Sequence, residues 1–387
     1  MAIEQTVRQK TSNFPCPSCG GSMVFDPDTQ GLRCEFCSHK IAIAKEHGQI
    51  NEYDFAIADD TKPQNWGVEK RLIKCDNCGA ETVLDASDAT KACAFCGSPH
   101  VIQNDKSAGI PPESLLPFSI SKKKAADIFL GWVKKRFFAP NKLKTAHQLK
   151  TITGVYVPCW TYDTDTDSRY TAEAGTYYYE TETHYVEENG QTKAVTENVK
   201  KIRWAPVSGT HAESFNDMIV NASKQINEEL RRRLEPFALN DLARYQPEFL
   251  AGFQAERYSI GLKEGWEINQ NVVADLLRKN ITTEIQADEI RNLNVHTNYN
   301  NIKYKHILLP VWVAAYTYQN KLFQFMINGQ SGTIQGKAPI SFWKVFITSL
   351  LSLVGLAIIT AVTGGIGIIL LPIAAIIIAM AVQKSCR

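Results

Sequence analysis

The stretch Phe14–His39 reads FPCPSCGGSMVFDPDTQGLRCEFCSH and contains four cysteines in two Cys-x-x-Cys pairs. The stretch Ile73–Ser98 reads IKCDNCGAETVLDASDATKACAFCGS and repeats the cysteine pattern 59 positions later. In each copy, 14 residues separate the two pairs. A repeat with one fixed spacing indicates two copies of the same small unit. The candidate metal ligands are Cys16, Cys19, Cys34, Cys37, Cys75, Cys78, Cys93 and Cys96.

This spacing is typical of a zinc ribbon. One Cys-x-x-Cys turn places two thiolates on one edge of a tetrahedron, and the second pair supplies the opposite edge. Gly20, Gly79 and Gly97 follow a pair directly, where a tight turn favours a residue that tolerates positive φ. So short a segment cannot bury a sufficient core, and a bound metal must supply roughly 10–16 kcal/mol of folding free energy. We therefore predict two Zn²⁺ ions, one per ribbon.

Other uses of the cysteines stay open. The N-terminal residues lack the basic and apolar segments of a secretory signal, so we expect a reducing cytoplasm that disfavours a disulfide framework. A redox Cys-x-x-Cys motif is not expected four times in two matched sets. A rubredoxin-like iron site uses the same four thiolates, and the sequence does not separate it from zinc. His39 and His100 follow the last pairs and are expected to be bystanders.

The C-terminal segment is strongly apolar. No charged residue occurs from Val345 to Val382. One helix of that length would measure about 57 Å, whereas the hydrocarbon core of a bilayer is about 30 Å thick. The glycine-rich stretch Thr363–Gly367 offers a break, so we predict a transmembrane hairpin with spans at about 343–362 and 368–382. Lys and Arg residues flank both ends of the hairpin. The positive-inside rule then places both ends on the cytoplasmic side of the cell (inner) membrane.

The region between the ribbons and the anchor has mixed periodicity. Alternating Tyr, Thr and Val residues in Tyr170–Val186 and Thr192–Trp204 flank Asn189-Gly190, which predicts a β-hairpin. Apolar residues at helical spacing predict other segments to be helical. These predicted helices are Ser121–Phe138 with Ser121 as N-cap, Ser214–Leu234, and Glu264–Lys279.

The predicted fold is therefore multi-domain, with two small β zinc ribbons, a central α+β domain and a C-terminal transmembrane α-helical hairpin. The predicted division is a flexible tail at 1–13, zinc ribbon 1 at 14–48, a linker at 49–70, zinc ribbon 2 at 71–103, a linker at 104–115, the cytoplasmic α+β domain at 116–335, and a juxtamembrane segment with the hairpin at 336–387.

The predicted helix Ser121–Phe138 is basic as well as amphipathic, since Lys122–Lys124 and Lys134–Arg136 are runs of positive charge. Such a helix either contacts anionic lipid headgroups near the anchor or packs on the core with its lysines in solvent. The sequence favours the second interpretation.

Motifs for catalysis are incomplete. Asp163–Asp167 begins like a calcium loop, but Ser168 and Ala174 replace its glycine and its bidentate Glu, so a strand face in solvent is expected. Gly332–Ala338 resembles a phosphate loop but is one residue short and lacks the Ser or Thr that reaches magnesium. We therefore predict a non-enzymatic protein.

Zinc ribbons often bind nucleic acid, and charge bears on that alternative. Residues 14–100 carry eight Lys or Arg against thirteen Asp or Glu. An anionic module gains little from the release of counterions by phosphates. Protein recognition is favoured, and a membrane-tethered nucleic-acid-binding protein is the alternative.

Seven short segments carry a resemblance to a known family: Arg136–Pro140, Trp204–Gly209, Phe215–Asp217, Ala222-Ser223, Phe249–Glu256, Leu309–Trp312 and Asn328–Gly332. With the cysteines, they resemble bacterial tandem zinc-ribbon membrane proteins. Members are often labelled as similar to the primosomal protein N' (replication factor Y) helicase. Some members are associated with phage-shock-protein-A-like and SPFH-type envelope-stress systems. The resemblance implies a membrane-anchored protein that presents a protein-docking surface at the cytoplasmic face and recruits such partners.

Overall fold

The computed structural model describes residues 14–44, 50–58, 70–85, 93–96, 101–103, 110–144, 152–188, 191–226, 228–318 and 321–363. The strands in these ranges are β1 (Met23–Asp26), β2 (Gly31–Cys34), β3 (Lys40–Ala42), β4 (Tyr53–Asp54), β5 (Lys70–Cys75), β6 (Glu81–Asp85), β7 (Val101–Gln103), β8 (Ser114–Leu115), β9 (Thr153–Glu188), β10 (Gln191–Asn221), β11 (Ala243–Arg244), β12 (Gln254–Glu256), β13 (Glu289–Tyr318), β14 (Lys321–Asn328) and β15 (Ile334–Gly336). The helices are α1 (Lys122–Lys134), α2 (Glu228–Arg233), α3 (Leu262–Ile285) and α4 (Phe342–Thr363).

The central domain is mostly sheet and is organised around two long antiparallel strands. β9 pairs with β13 from Thr153↔Val313 to Gly175↔Glu289, and β10 lies on the other side of β9. β9 is rich in Thr and Tyr, and β13 carries Tyr, Ile and Val, which are residues that suit an extended, half-buried surface. The core lies at the start of β9 and in the part of β13 that pairs with it, where Val155, Tyr156 and Ile307 are fully buried.

Two prolines lie inside these central strands, where a proline normally removes a ladder hydrogen bond. Pro158 falls between Tyr156, which pairs with Ala255 of β12, and Cys159, which pairs with Asn221 at the end of β10. Pro310 falls between Leu308, which pairs with the end of β8, and Val311, which pairs with Asn328 at the end of β14. Each proline therefore stands where the neighbouring strand changes. The segments Val157–Trp160 and Leu309–Trp312, each with proline at its second position, lie on neighbouring strands and meet at the pair Val157↔Leu309.

The predicted helix Ser214–Leu234 is wrong over most of its length. β10 continues to Asn221 and only the short α2 is helical. A β-bulge between Phe215 and Met218, with Asp217 at φ 52°, places inward residues three positions apart. That spacing imitates helical periodicity within a strand.

The other predicted helices are present with different bounds. α1 ends at Lys134 rather than Phe138, and Ser121 precedes it without a side-chain capping hydrogen bond. α3 extends to Ile285, beyond the predicted end at Lys279. Its buried face includes Val273 and Leu277 and packs on the sheet near Phe215. The predicted hairpin strands pair up to Glu188↔Gln191 around residues 189–190.

Both ribbons pack against the central sheet. β6 of the second ribbon pairs with β12, so its hairpin extends the large sheet. β1, β2 and β3 of the first ribbon form a separate sheet, whose Phe25 contacts Phe249 at 5.3 Å between ring centroids. Residues predicted as linkers contribute β4 and β8, and both strands pair with β13.

Candidate metal centres and the membrane helix

Two turns bring the four cysteines of the first quartet together, one before β1 and one after β2. The N–H of Gly20 donates to the carbonyl of Cys16 at 2.8 Å, and Gly20 has φ +74°. The second quartet repeats this turn, with Gly79 at φ +75° donating to Cys75 at 2.8 Å. These are the positive-φ turns expected from the sequence. Gly97 lies outside the described residues.

All eight predicted ligands come together in two groups of four. In the first, the sulfurs of Cys16 and Cys37 are 3.5 Å apart, as are those of Cys19 and Cys34. The corresponding distances in the second group are 3.5 Å and 3.7 Å. Within each group all ligand atoms lie within 4.8 Å of one another.

These distances fit one shared ion per quartet. A tetrahedral zinc–thiolate site with bonds of about 2.3 Å has sulfurs about 3.8 Å apart. A disulfide requires about 2.05 Å, far below the observed separations. His39 is not a member of the group, in agreement with its expected role as a bystander, and His100 lies outside the described residues. Each quartet can therefore hold a metal ion, and four thiolates are compatible with zinc.

The thiols of the first quartet cannot all ionise without a cation. Backbone N–H donation, above all from Cys37, lowers the pKa of Cys34 to about 6 against the opposing effect of burial. The N–H of His39 favours the Cys37 thiolate, but neighbouring sulfurs, above all that of Cys19, raise the pKa of Cys37 to about 12. The quartet therefore retains a proton at neutral pH unless a metal ion displaces it.

The second quartet is the more deeply buried. Cys19 and Cys37 of the first quartet are exposed, whereas all members of the second are buried or half-buried. Burial raises the pKa of Cys93 to about 11. Phe95, between the last two ligands, is 1% exposed and packs in the same cluster as Val155 and Val157. Metal at this quartet therefore organises part of the core beside the central strands.

One segment contacts both ribbons and was not assigned this role from the sequence. Ala251 accepts a hydrogen bond from the N–H of Phe25 at 2.9 Å, and Gly252 at φ +81° lies against Val24. A few residues later, Arg257 bonds to the carboxylate of Glu81 at 3.2 Å. The segment up to Glu256 lies within one of the motifs that carry the family resemblance, which was the available signal. It fixes the two metal centres relative to the sheet.

A buried acid lies in the same segment. Glu256 is 1% exposed, and its Oε1 accepts a hydrogen bond from Ser223 Oγ at 2.6 Å. Its Oε2 has no partner among the described residues. Burial raises the pKa of Glu256 to about 8, so the carboxyl is mostly protonated at neutral pH.

This raised pKa makes the stability of the protein depend on pH. Below about pH 4 the carboxyl is protonated in both folded and unfolded states, so it adds no penalty. As the pH rises toward 8, the unfolded state ionises and gains stability relative to the folded one, by up to about 5 kcal/mol. We expect Glu256→Gln to raise the urea midpoint more at pH 8.5 than at pH 5.5. Glu267→Gln, an exposed change on α3, is the control, and equal shifts for both variants would contradict this prediction.

Several polar and charged side chains line an open cleft of about 730 Å³ beside β9. Asp163–Asp167 lies on this strand, and Asp165 accepts a hydrogen bond from Asn301 at 2.8 Å. Lys305 is 6% exposed and forms an ion pair with Asp217 at 2.7 Å. The calcium-like motif is therefore part of a strand whose charged groups are bound by neighbouring side chains.

The C-terminal helix α4 is both apolar and exposed. Phe342–Val362 is long and apolar enough to cross a membrane, and none of its most apolar window is buried in the protein. Leu351 and Val362 are among its exposed residues, at 65% and 81%. The predicted second span at 368–382 lies outside the described residues, so the structure contains one apolar helix and does not show a hairpin.

Comparison with known proteins gives one relative. No protein-family model matches the chain, and no solved structure matches it. The chain is 29% identical over 343 residues to a protein of Bacillus subtilis (strain 168) named uncharacterized protein YdjG. The alignment covers 86% of this chain and 92% of the relative, so the similarity extends over most of both proteins.

Proposed function

We propose that this chain is a non-enzymatic, membrane-anchored zinc-ribbon protein that presents a protein-docking surface at the cytoplasmic face of the cell (inner) membrane. The exposed apolar helix supports anchoring, since 22 residues of helix extend about 33 Å against a hydrocarbon thickness of about 30 Å. The four-thiolate sets support zinc as a structural ion. Lysines before the first span and Lys384 and Arg387 after the second support the cytoplasmic placement of the folded region.

The observation that carries the docking role is a bare two-stranded extension of the sheet, which we call the β-arm. It consists of Thr176–Glu188 of β9 and Gln191–Arg203 of β10. Among the described residues, β13 leaves β9 at Gly175, and beyond that point β9 pairs with β10 alone. An isolated two-stranded ribbon is marginally stable in water, and its open edges attract further strands.

One face of the β-arm carries tyrosines. Tyr177, Tyr179 and Tyr185 alternate along β9 and so point to the same side. Tyr179 and Tyr185 are 70% and 75% exposed. Tyrosine combines a large apolar ring with a polar tip at low entropic cost, and it is enriched at protein interfaces. This face therefore has the composition of a docking surface.

The opposite face carries Tyr178 and Val195 besides charged groups, and these charged groups pair with each other. Lys201 Nζ lies 2.7 Å from Glu180 Oε2 and also contacts Glu182. Because these groups pair within the β-arm, they leave the tyrosine face as the surface that gains most from a partner.

The β-arm is also far from the metal centres. β9 has 36 residues, and a strand of that length extends for up to about 115 Å. Its first residues pair with β12 beside the second ribbon, whereas its last residues form the β-arm. We propose that the ribbons and the anchor hold the base of the molecule and that the β-arm reaches a cytosolic or membrane-associated protein. The family resemblance favours a phage-shock-protein-A-like or SPFH-type partner.

Site-specific photo-crosslinking in membranes tests this proposal. We expect p-benzoylphenylalanine at positions 179 and 185 of the full chain to give an adduct with the same cytosolic protein. Replacement at Ile57, which is 80% exposed and lies outside the β-arm, is the matched control and is expected to give none. Tyr179→Ser with Tyr185→Ser should lower co-purification of that protein at least about tenfold, because an interface anchor contributes about 1–2 kcal/mol or more.

Two outcomes would contradict the proposal. Adducts from position 57 but not from 179 or 185 would place the docking surface elsewhere. Unchanged co-purification with the double variant would remove the tyrosine face from the interaction.

A further inference from the structure

We propose that the corner where α1 ends and α4 begins is a second membrane contact, in which Phe137 enters the headgroup boundary of an anionic bilayer and Lys134 and Lys135 bind lipid phosphates. This inference rests on the proposed anchoring by α4. It adds a defined surface of the folded domain that lies on the same bilayer.

The first observation is that the start of α4 is fixed to the turn after α1. Lys344 Nζ donates to the carbonyl oxygens of Phe137 at 3.1 Å and Ala139 at 2.7 Å. The N–H of Ser341 donates to the carbonyl of Phe138 at 2.8 Å. Three hydrogen bonds therefore set where the apolar helix leaves the domain, and the turn after α1 must lie at the level at which α4 enters lipid.

The second observation is an exposed aromatic residue at this corner. Phe137 is 62% exposed, although its neighbour Phe138 is buried. Phe342 and Trp343, in the first turn of α4, are 67% and 68% exposed. Aromatic side chains are enriched at the boundary between water and hydrocarbon, so Phe137 and the first turn of α4 have the composition of one membrane-interface belt.

The third observation is the charge around the aromatic residue. Lys134 and Lys135 are exposed at the end of α1. Residues 122–144 contain eight Lys or Arg and a single acid, Asp127. Basic side chains near an anionic membrane surface are attracted to its headgroups.

These observations add a lipid contact to the packing role of α1. α1 does pack on the core through Ala125, Phe129 and Val133, as the sequence favoured. Its C-terminal end nevertheless lies beside the anchor with lysines and Phe137 facing outward. A single spanning helix leaves a domain free to rotate, whereas a second contact fixes which side faces the lipid. The contact therefore orients the sheet, and with it the β-arm.

The test uses the full chain in nanodiscs of phosphatidylcholine with about one third phosphatidylglycerol, the fraction being chosen to give an anionic surface. p-Benzoylphenylalanine replaces Phe137, Trp343 or Ile57, and lipid adducts are measured by mass spectrometry after illumination. We expect adducts at positions 137 and 343 and none at 57. Lys134→Glu with Lys135→Glu should lower the adduct at 137 at least fivefold and leave that at 343 unchanged. Lys263→Glu with Lys279→Glu, exposed residues of α3 with the same change in charge, should leave both unchanged.

The outcomes separate this inference from the anchoring on which it rests. An adduct at 343 without one at 137 would overturn the second contact and leave the anchor intact. No adduct at either position would overturn the anchor itself. An adduct at 137 that persists after charge reversal, and equally in discs of phosphatidylcholine alone, would overturn the binding of lipid phosphates by Lys134 and Lys135.

Discussion

Replacing Cys75 and Cys78 by Ser is expected to unfold the base of the molecule, whereas replacing Cys16 and Cys19 is expected to have a smaller effect. Both changes remove two ligands and thus one metal ion, whose binding supplies roughly 10–16 kcal/mol in comparable ribbons. Both quartets share buried clusters with the two central strands, but all four ligands of the second quartet are buried or half-buried, whereas two of the first are exposed. Loss of the second ion therefore opens more buried surface to water than loss of the first.

The measurement is thermal unfolding of the detergent-solubilised full chain, followed by circular dichroism. We expect the Cys75/Cys78 variant to lose its cooperative transition and the Cys16/Cys19 variant to keep one at a lower midpoint. Metal-release kinetics give an independent readout, because Cys19 and Cys37 are exposed. A chelator should remove the first ion faster than the second. Equal loss of stability from the two variants would contradict the difference in burial.

Two arginines in the middle of α4 are expected to release the protein from the membrane. Leu353 and Val354 lie near the centre of the helix and are 54% and 50% exposed, so their replacement disturbs no packing in the folded domain. Each arginine at the centre of a span costs about 3–4 kcal/mol relative to the aliphatic residue that it replaces. The predicted second span at 368–382 is short against the roughly 20 residues of a full crossing, so we expect it to need the first span to stay in the bilayer.

Extraction with alkaline carbonate measures the effect. The wild-type chain and a Leu353→Ala, Val354→Ala control should stay with the membrane pellet. The chain with Leu353→Arg and Val354→Arg should move to the supernatant. An arginine variant that remained in the pellet would show that another segment holds the protein in the bilayer.

The metal centres could be predicted from sequence because their chemistry is local. A Cys-x-x-Cys turn closes on itself, and the 59-residue repeat identified both copies. The positive φ of Gly20 and Gly79 followed from the same turns. The first of the two predicted spans is present as α4, since an uncharged stretch of that length needs no partner to be recognised, whereas the second span lies outside the described residues.

Features that depend on distant pairing were not predictable in the same way. The bulge between Phe215 and Met218 gave a strand the periodicity of a helix. The pairing of β12 with β6 joins residues more than 170 positions apart, and neither short strand has a pattern that selects the other. The protonated Glu256 was also missed, because one glutamate in a sequence does not reveal whether it is buried.

Metal analysis of the full chain, purified from membranes without added metal, tests the central proposal most directly. Inductively coupled plasma mass spectrometry should find two zinc ions per chain, and X-ray absorption should find four sulfurs at about 2.3 Å around each. Iron in place of zinc, fewer than two ions per chain, or cysteines paired as disulfides would contradict it.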